Sequence, residues 1–207
     1  NGKMAIAYRN LAWVQGQVLN KIDKASKNIK KAIELNPKDA TYFADADEYL
    51  KANSASVKER EAIYKGHLDV LRTDDRAFTN YIQMSNMEGK YDLVIDEMSK
   101  HRFRVLENVK RIHHQYWAVA HIMKGKENLA SKNYKKALFH FNEALRFPRN
   151  LELMRDGKEK EAYYYLALTY KSMGDQKKAE DNFKKLLEVA PVDAANSWGA
   201  QDWIEIT

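Results

Sequence analysis

Six histidines and a scatter of carboxylates are the side chains that could do chemistry in this 207-residue chain. Their spacing argues against it. His114 and His121 are seven residues apart, which on a helix puts them on one face two turns apart, roughly 10 Å. One metal ion cannot span that distance without a third ligand between them. His113 and His114 are adjacent and diverge. No His-Glu-x-x-His spacing occurs. The expectation is satisfied or surface histidines and no metal. A glycosidase needs two carboxylates facing each other across a cleft. The acidic groups Asp45, Asp47, Glu48 and Asp92, Asp96, Glu97 instead fit the outer face of amphipathic helices, so a solvated face is expected for both. Gly125-Lys126 lacks the upstream glycine of a phosphate-binding loop and lies inside helical pattern. With no cysteine, a disulfide, a thiolate nucleophile and a thiolate metal site are excluded. That absence fits the cytosol and leaves the periplasm open. No catalytic residue and no cofactor is expected.

The elements that carry these residues must then be read for architecture. Hydrophobic residues make up 44% and aromatics 11%, enough for a folded core. Three prolines and eight glycines are few for a β-rich chain of this length. Lys and Arg number 35 against 29 Asp and Glu, and the resulting +6 reads as a solvated surface. Basic residues interleave with aromatics at Arg102-Phe103-Arg104 and from Lys110 to Trp117, a pattern open to nucleic acid. No apolar run approaches the roughly 20 residues of a membrane span. The first residues, Asn-Gly-Lys-Met-Ala, lack an apolar signal core, and both ends read as cut from a longer protein.

The richest pattern runs from Lys160 to Pro191. Tyr163, Leu166, Ala167, Tyr170, Gly174, Ala179, Phe183 and Pro191 stand at places 4, 7, 8, 11, 15, 20, 24 and 32 of that stretch. Small residues at 8 and 20 let two helices cross closely. Aromatics at 4, 11 and 24 wedge neighbouring pairs together. Gly174 suits a left-handed helix end, and Pro191 stops the second helix. The spacing resembles the tetratricopeptide repeat, a unit of about 34 residues. That resemblance implies an all-α fold, a right-handed superhelical array of about five helix pairs at residues 5–38, 39–73, 75–104, 106–148 and 160–193, with a cap at 194–207 carrying Trp198 and Trp203.

Individual units depart from the period in ways that make expectations. In the first, Tyr8, Leu11 and Ala12 fit at once, but Ala25, Ile29, Ala32 and Pro37 fit only if the intervening turn holds one extra residue. In the second, Tyr42, Phe43, Ala46, Tyr49 and Leu50 share a face; Ser56 caps a second helix running through Val57, Ile63, Tyr64, Leu68 and Leu71. In the fourth, Gly125 stands at place 8 and Phe141 at place 24. Ala137 and Ala179 are 42 residues apart, an excess of eight over the period that falls on Pro148 to Gly157. Apolar Leu151, Leu153 and Met154 predict that Phe147 to Gly157 is an ordered loop packed on the array. Pro148 should end the preceding helix, with Arg149 and Asn150 satisfying its last carbonyls.

A narrower resemblance rests on Tyr8-Arg9-Asn10-Leu11-Ala12, Ala32-Ile33-Glu34-Leu35-Asn36-Pro37, Gly89-Lys90-Tyr91, His101-Arg102-Phe103, Phe147-Pro148-Arg149-Asn150-Leu151 and Glu161-Ala162-Tyr163-Tyr164-Tyr165-Leu166, in that order. The series is similar to the C-terminal repeat half of large bacterial proteins that carry an N-terminal β-sandwich domain of mutarotase-like fold and unknown function. It implies an accessory part of a carbohydrate-processing protein, with no catalytic residue in the repeats. The chain departs from that family at Arg104-Val105-Leu106-Glu107-Asn108, where relatives carry a Trp and a Gly-rich acidic turn.

The expected function is a non-catalytic scaffold that binds a peptide segment or a neighbouring domain in the concave groove lined by places 2, 5, 9 and 12 of the first helices. Those places hold Arg9, Trp13, Arg76, Thr79, Gln83, Lys126, Tyr164 and Lys171. The expected partner is a protein or peptide, which includes the N-terminal domain of the chain's own full-length form. The clamp of Lys, Asn and Arg by which some relatives grip a C-terminal carboxylate is missing, since its places hold Arg9 and Trp13 in the first unit and Glu161 and Tyr165 in the fifth. Residues 77–100 resemble a pentatricopeptide RNA-reading unit, but only once, which sets single-stranded RNA behind protein as a partner.

Overall fold

The computed structural model describes residues 2–104, 112–151 and 160–189. Among the described residues there are eleven α-helices and no strand. The chain divides into two compact units, Asn1–Glu88 and Gly89–Thr207.

The first unit opens with a helical hairpin, α1 (Gly2–Trp13) and α2 (Ile22–Leu35). Ala5 and Ala12 of α1 are fully buried in one cluster with Ala25, Ile29 and Ala32 of α2. The small side chains allow the close crossing that the spacing predicted. The extra residue of this pair is found at the end of α1. There Val14–Val18 widens into a π-helical turn, in which the Leu19 amide donates to the Val14 carbonyl at 3.0 Å. A turn of that kind absorbs one residue without breaking the helix. Asn20, with φ of 49°, then reverses the chain.

α3 (Ala40–Ala52) starts at Asp39, whose carboxylate accepts from the Thr41 amide at 3.1 Å. Its partner is not the single helix expected from Val57 to Leu71. Two short helices, α4 (Val57–Ala62) and α5 (Leu68–Leu71), stand there instead. Ser56 and Glu59 close a capping box on α4, as the Ser56 expectation required. The break lies at Gly66, whose φ of 81° no right-handed helix can include. The unit ends with α6 (Asp75–Met87), capped by Asp74 on the Ala77 amide at 2.9 Å.

The second unit comprises α7 (Tyr91–Lys100), α8 (Ile112–Ala130), α9 (Tyr134–Leu145), α10 (Lys160–Ser172) and α11 (Gln176–Glu188). α8 with α9 and α10 with α11 form hairpins. Ala118, Ile122, Ala144 and Ala162 make one buried cluster of α8, α9 and α10, and Ala137, Phe141 and Leu166 make another. Gly174 has the positive φ, 82°, that its place demanded.

The described part of the insertion, residues 147–151, is packed. Leu151 is 1% exposed in a short 3-10 turn, and Phe147 stacks on His114 with ring centroids 3.6 Å apart. Asn150 does not serve the helix before it. Its amide donates to the carbonyls of Met98 (2.6 Å) and His101 (2.8 Å), at the C-terminus of α7. The insertion therefore caps a helix about 50 residues upstream in sequence. Residues 152–157 of the insertion, the start of the fourth unit at 106, Pro191 and the 194–207 cap lie outside the described residues.

Candidate binding faces

In the first unit, successive first helices are tied by ions. Asp45 of α3 sits between two arginines: Arg9 Nε of α1 donates to its Oδ2 at 2.9 Å, and Arg76 Nη2 of α6 donates to its Oδ1 at 2.8 Å. Arg76 Nη1 also reaches Glu48 Oε1 at 3.3 Å. The hydrogen bond that Arg9 donates to Asp45 raises the pKa of Arg9. Two of the expected groove residues, Arg9 and Arg76, thus converge on one carboxylate-lined strip, and Trp13 is exposed at the end of α1. Thr79 turns its hydroxyl back to the Asp75 carbonyl at 2.6 Å. Gln83 is buried, 5% exposed, and offers no contact surface.

Two of the three α3 carboxylates correct the expectation of a solvated face, while Glu48 is exposed as expected. Asp45 and Asp47 are both buried. Asp47 makes a bidentate pair with Arg60 of α4, at 2.9 Å for each bond, and both side chains are almost fully enclosed. Asp45 occupies place 7, which in the first and fifth units is leucine, Leu11 and Leu166. A carboxylate at an apolar place, with arginines at groove places of both neighbouring pairs, is the signal in the sequence that could have revealed the strip. In the second acidic group Asp92 and Asp96 are exposed, as expected, whereas Glu97 is buried.

In the second unit, Lys126 of α8 places its ammonium 5.2 Å from the Tyr165 ring centroid and 3.7 Å from Glu161 Oε1, both on α10. Tyr164 stands exposed beside them. Its ring makes edge contacts to Tyr165 (5.2 Å, 74°) and to Phe183 of α11 (6.4 Å, 63°). Lys171 is exposed on the same helix. The face combines aromatic surface with cationic groups.

The histidines are placed differently from any pairing read along one helix. Phe103 stacks on His113 at 3.8 Å, so His113 and His114 are each covered by an aromatic ring. His121 of α8 meets His140 of α9, with Nδ1 atoms 3.0 Å apart and the Trp117 ring 4.3 Å from the His121 ring. Burial, then the neighbouring His140 and Arg146, lower the His121 pKa to about 3. Burial also lowers His140, with Lys124 and Lys136 acting in the same direction and Asp92 and Glu127 against it. Among the described residues no group of three His, Asp or Glu side chains is placed to hold a metal ion. None of the described helices is long and apolar enough to cross a membrane.

The comparisons with known proteins agree with the architecture. A family model described as tetratricopeptide repeat matches residues 5–39 and 160–193. No curated protein matches the chain. Among solved structures, it is similar to YrrB, described as a tetratricopeptide protein with an unusual peptide-binding site, at 18% identity and a TM-score of 0.58 over 97% of this chain and 93% of that one. It is also similar to the MamA protein, at 15% identity and a TM-score of 0.57 over 93% of this chain and all of that one. A MamA fragment from Desulfovibrio magneticus RS-1 gives 14% identity and a TM-score of 0.51 over 89% of this chain and 94% of that one. At these identities the likeness is one of fold. The chain has an all-α helical-repeat fold, and its residues 5–39 and 160–193 match the tetratricopeptide repeat.

Proposed function

We propose that this protein is a non-catalytic scaffold whose first-helix faces hold extended peptide segments, with Tyr164 as an aromatic anchor in the second unit and Trp13, independently, in the first. The observation that carries the reading is Tyr164. It is 42% exposed, yet its ring is braced at steep angles by Tyr165 and Phe183. A braced, uncovered tyrosine loses little freedom on binding, which is what makes such residues dominate interface energies. Lys171 adds positive charge to that face and favours acidic residues in the peptide, whereas Lys126 is paired with Glu161. In the first unit Arg9 and Arg76 are already neutralised by Asp45 and Glu48, so Trp13 contributes apolar contact there more than charge. The peptide-binding description of YrrB supports the same class of function.

Selection of displayed peptides against the full chain tests this. Recovered sequences should combine an aromatic or aliphatic residue with acidic neighbours, and their binding should weaken as salt rises. Tyr164→Ala should reduce affinity about 30-fold, the range of an interface hot spot, with unchanged circular dichroism. Retention that ignores both Tyr164→Ala and Trp13→Ala would overturn the reading.

A further inference from the structure

His121 of α8 and His140 of α9 face each other within one hairpin, with their Nδ1 atoms 3.0 Å apart. At that distance one nitrogen carries the hydrogen and the other accepts it. The two rings are not equivalent. His121 is 2% exposed, and its Nε2 is enclosed with no hydrogen-bond partner. The ring centroids of Trp117 and Phe139 lie 4.3 and 6.4 Å from that of His121. His140 is only half-buried, so water reaches its outer edge. An orphaned N–H is rarer in protein interiors than an unmet acceptor. The enclosed Nε2 of His121 is therefore better left bare than protonated.

We propose that this pair is a one-proton latch on the α8–α9 hairpin: His121 donates from Nδ1 to Nδ1 of His140, neither ring can gain a proton while that bond is intact, and acid therefore lifts α9 from α8. The one lone pair left on His121 is at the enclosed Nε2, where a charged, unpartnered N–H would be stranded. The one lone pair on His140 is the acceptor itself, since its Nε2 carries hydrogen toward solvent. Neighbouring charges do not relieve this. Lys124 of α8, with Lys136 and Arg146 of α9, opposes further positive charge. Asp92 of α7 and Glu127 of α8 favour it, but both are bound to Lys124, at 3.0 and 2.8 Å. The consequence reaches the peptide face, and that part rests on the function proposed above. Phe141, next to His140 on α9, stacks on Tyr165 (5.4 Å, 14°), and Tyr165 braces Tyr164. Lifting α9 withdraws Phe141 from Tyr165 and loosens the brace.

Nuclear magnetic resonance of the full chain tests the latch with no peptide present, so the outcome is independent of whether a peptide binds. At pH 7.5 the imidazole nitrogens should show a protonated Nδ1 and a bare Nε2 in His121, and the reverse in His140. The opposite assignment would overturn the proposal, because His140 could then take a proton at its outer Nε2 with the bond intact. An open histidine titrating near about pH 6.5 favours opening about 30-fold at pH 5 relative to pH 7.5. Protection of the α9 amides around His140, corrected for intrinsic exchange, should fall by about that factor through local opening, with α11 unchanged. Equal loss in α9 and α11 would mean unfolding of the whole unit and would overturn the latch. The Tyr165 ring resonances should shift over the same pH range; fixed resonances would overturn the link to Tyr164. The His121→Gln, His140→Gln double variant should lose the pH-dependence of α9 protection, and its persistence there would count against the pair. The parent measurements decide alone should that variant fail to fold.

Discussion

Gly125 and Phe141 meet backbone to ring: a β-carbon at 125 would run into the Phe141 side chain. They occupy places 8 and 24 of the fourth pair, and Phe141 is fully buried there. The absence of one side chain thus sets how closely α8 and α9 pack.

Gly125→Ala should therefore destabilise the second unit even though alanine is the better helix former by about 1 kcal/mol. Overpacking against an enclosed ring costs about 1–3 kcal/mol and outweighs that gain. Phe141→Leu in the Gly125→Ala background should cost less than Phe141→Leu alone. Urea unfolding of the four variants measures the coupling, expected at about 0.5–3 kcal/mol for residues in contact.

The Asp47–Arg60 pair answers a second test. Asp47→Ala should leave Arg60 charged and enclosed, costing on the order of 3–5 kcal/mol, the range for breaking one side of a buried pair. Asp47→Leu with Arg60→Met should cost much less, because no charge is then enclosed. Guanidinium titration of the single and double variants separates the two outcomes.

Acid should act through His121 and His140. Both have folded-state pKa values below the unfolded value near 6.5, His121 at about 3. The unfolded chain therefore binds protons that the folded chain refuses. Their contribution to stability is complete above about pH 6.5 and is lost as pH falls from there toward 3. For His121 the loss is on the order of a few kcal/mol by linkage. Unfolding free energies measured between pH 7 and 4 should fall less steeply in the His121→Gln, His140→Gln double variant than in the parent. Identical slopes would show that the pair does not titrate in this range.

Asn150 gives a long-range prediction. Asn150→Ala removes two hydrogen bonds to the end of α7 and should cost about 1–3 kcal/mol for the carbonyls left unmet. The effect should appear as faster exchange of α7 amides near Met98, with α9 unchanged. Faster exchange at the end of α9 would mean that the residue serves its own preceding helix.

Much of this architecture was written in the residue types themselves. Helical hairpins follow from small residues at places 8 and 20, because side-chain volume decides how near two helix axes can lie. Ala12 with Ala25, and Gly125 with Ala137, carry that rule along the chain. The surplus residue of the first pair was countable, and a helix can accept one extra residue only by widening a turn, as Val14–Val18 does. Other features depend on which segments meet in space, and periodicity along one helix holds no record of that. Asp45 and Asp47 look solvent-facing until Arg9, Arg76 and Arg60 arrive from three other helices. His121 pairs with a histidine 19 positions away on the facing helix, not with His114 on its own. Asn150 could have capped either of two helix ends, and the fold brought it to α7. Local spacing fixes the shape of a hairpin because its atoms are covalently near. Pairing of charges, rings and caps across hairpins is decided by packing, where burial makes an unpaired polar group costly and so selects the partner within reach.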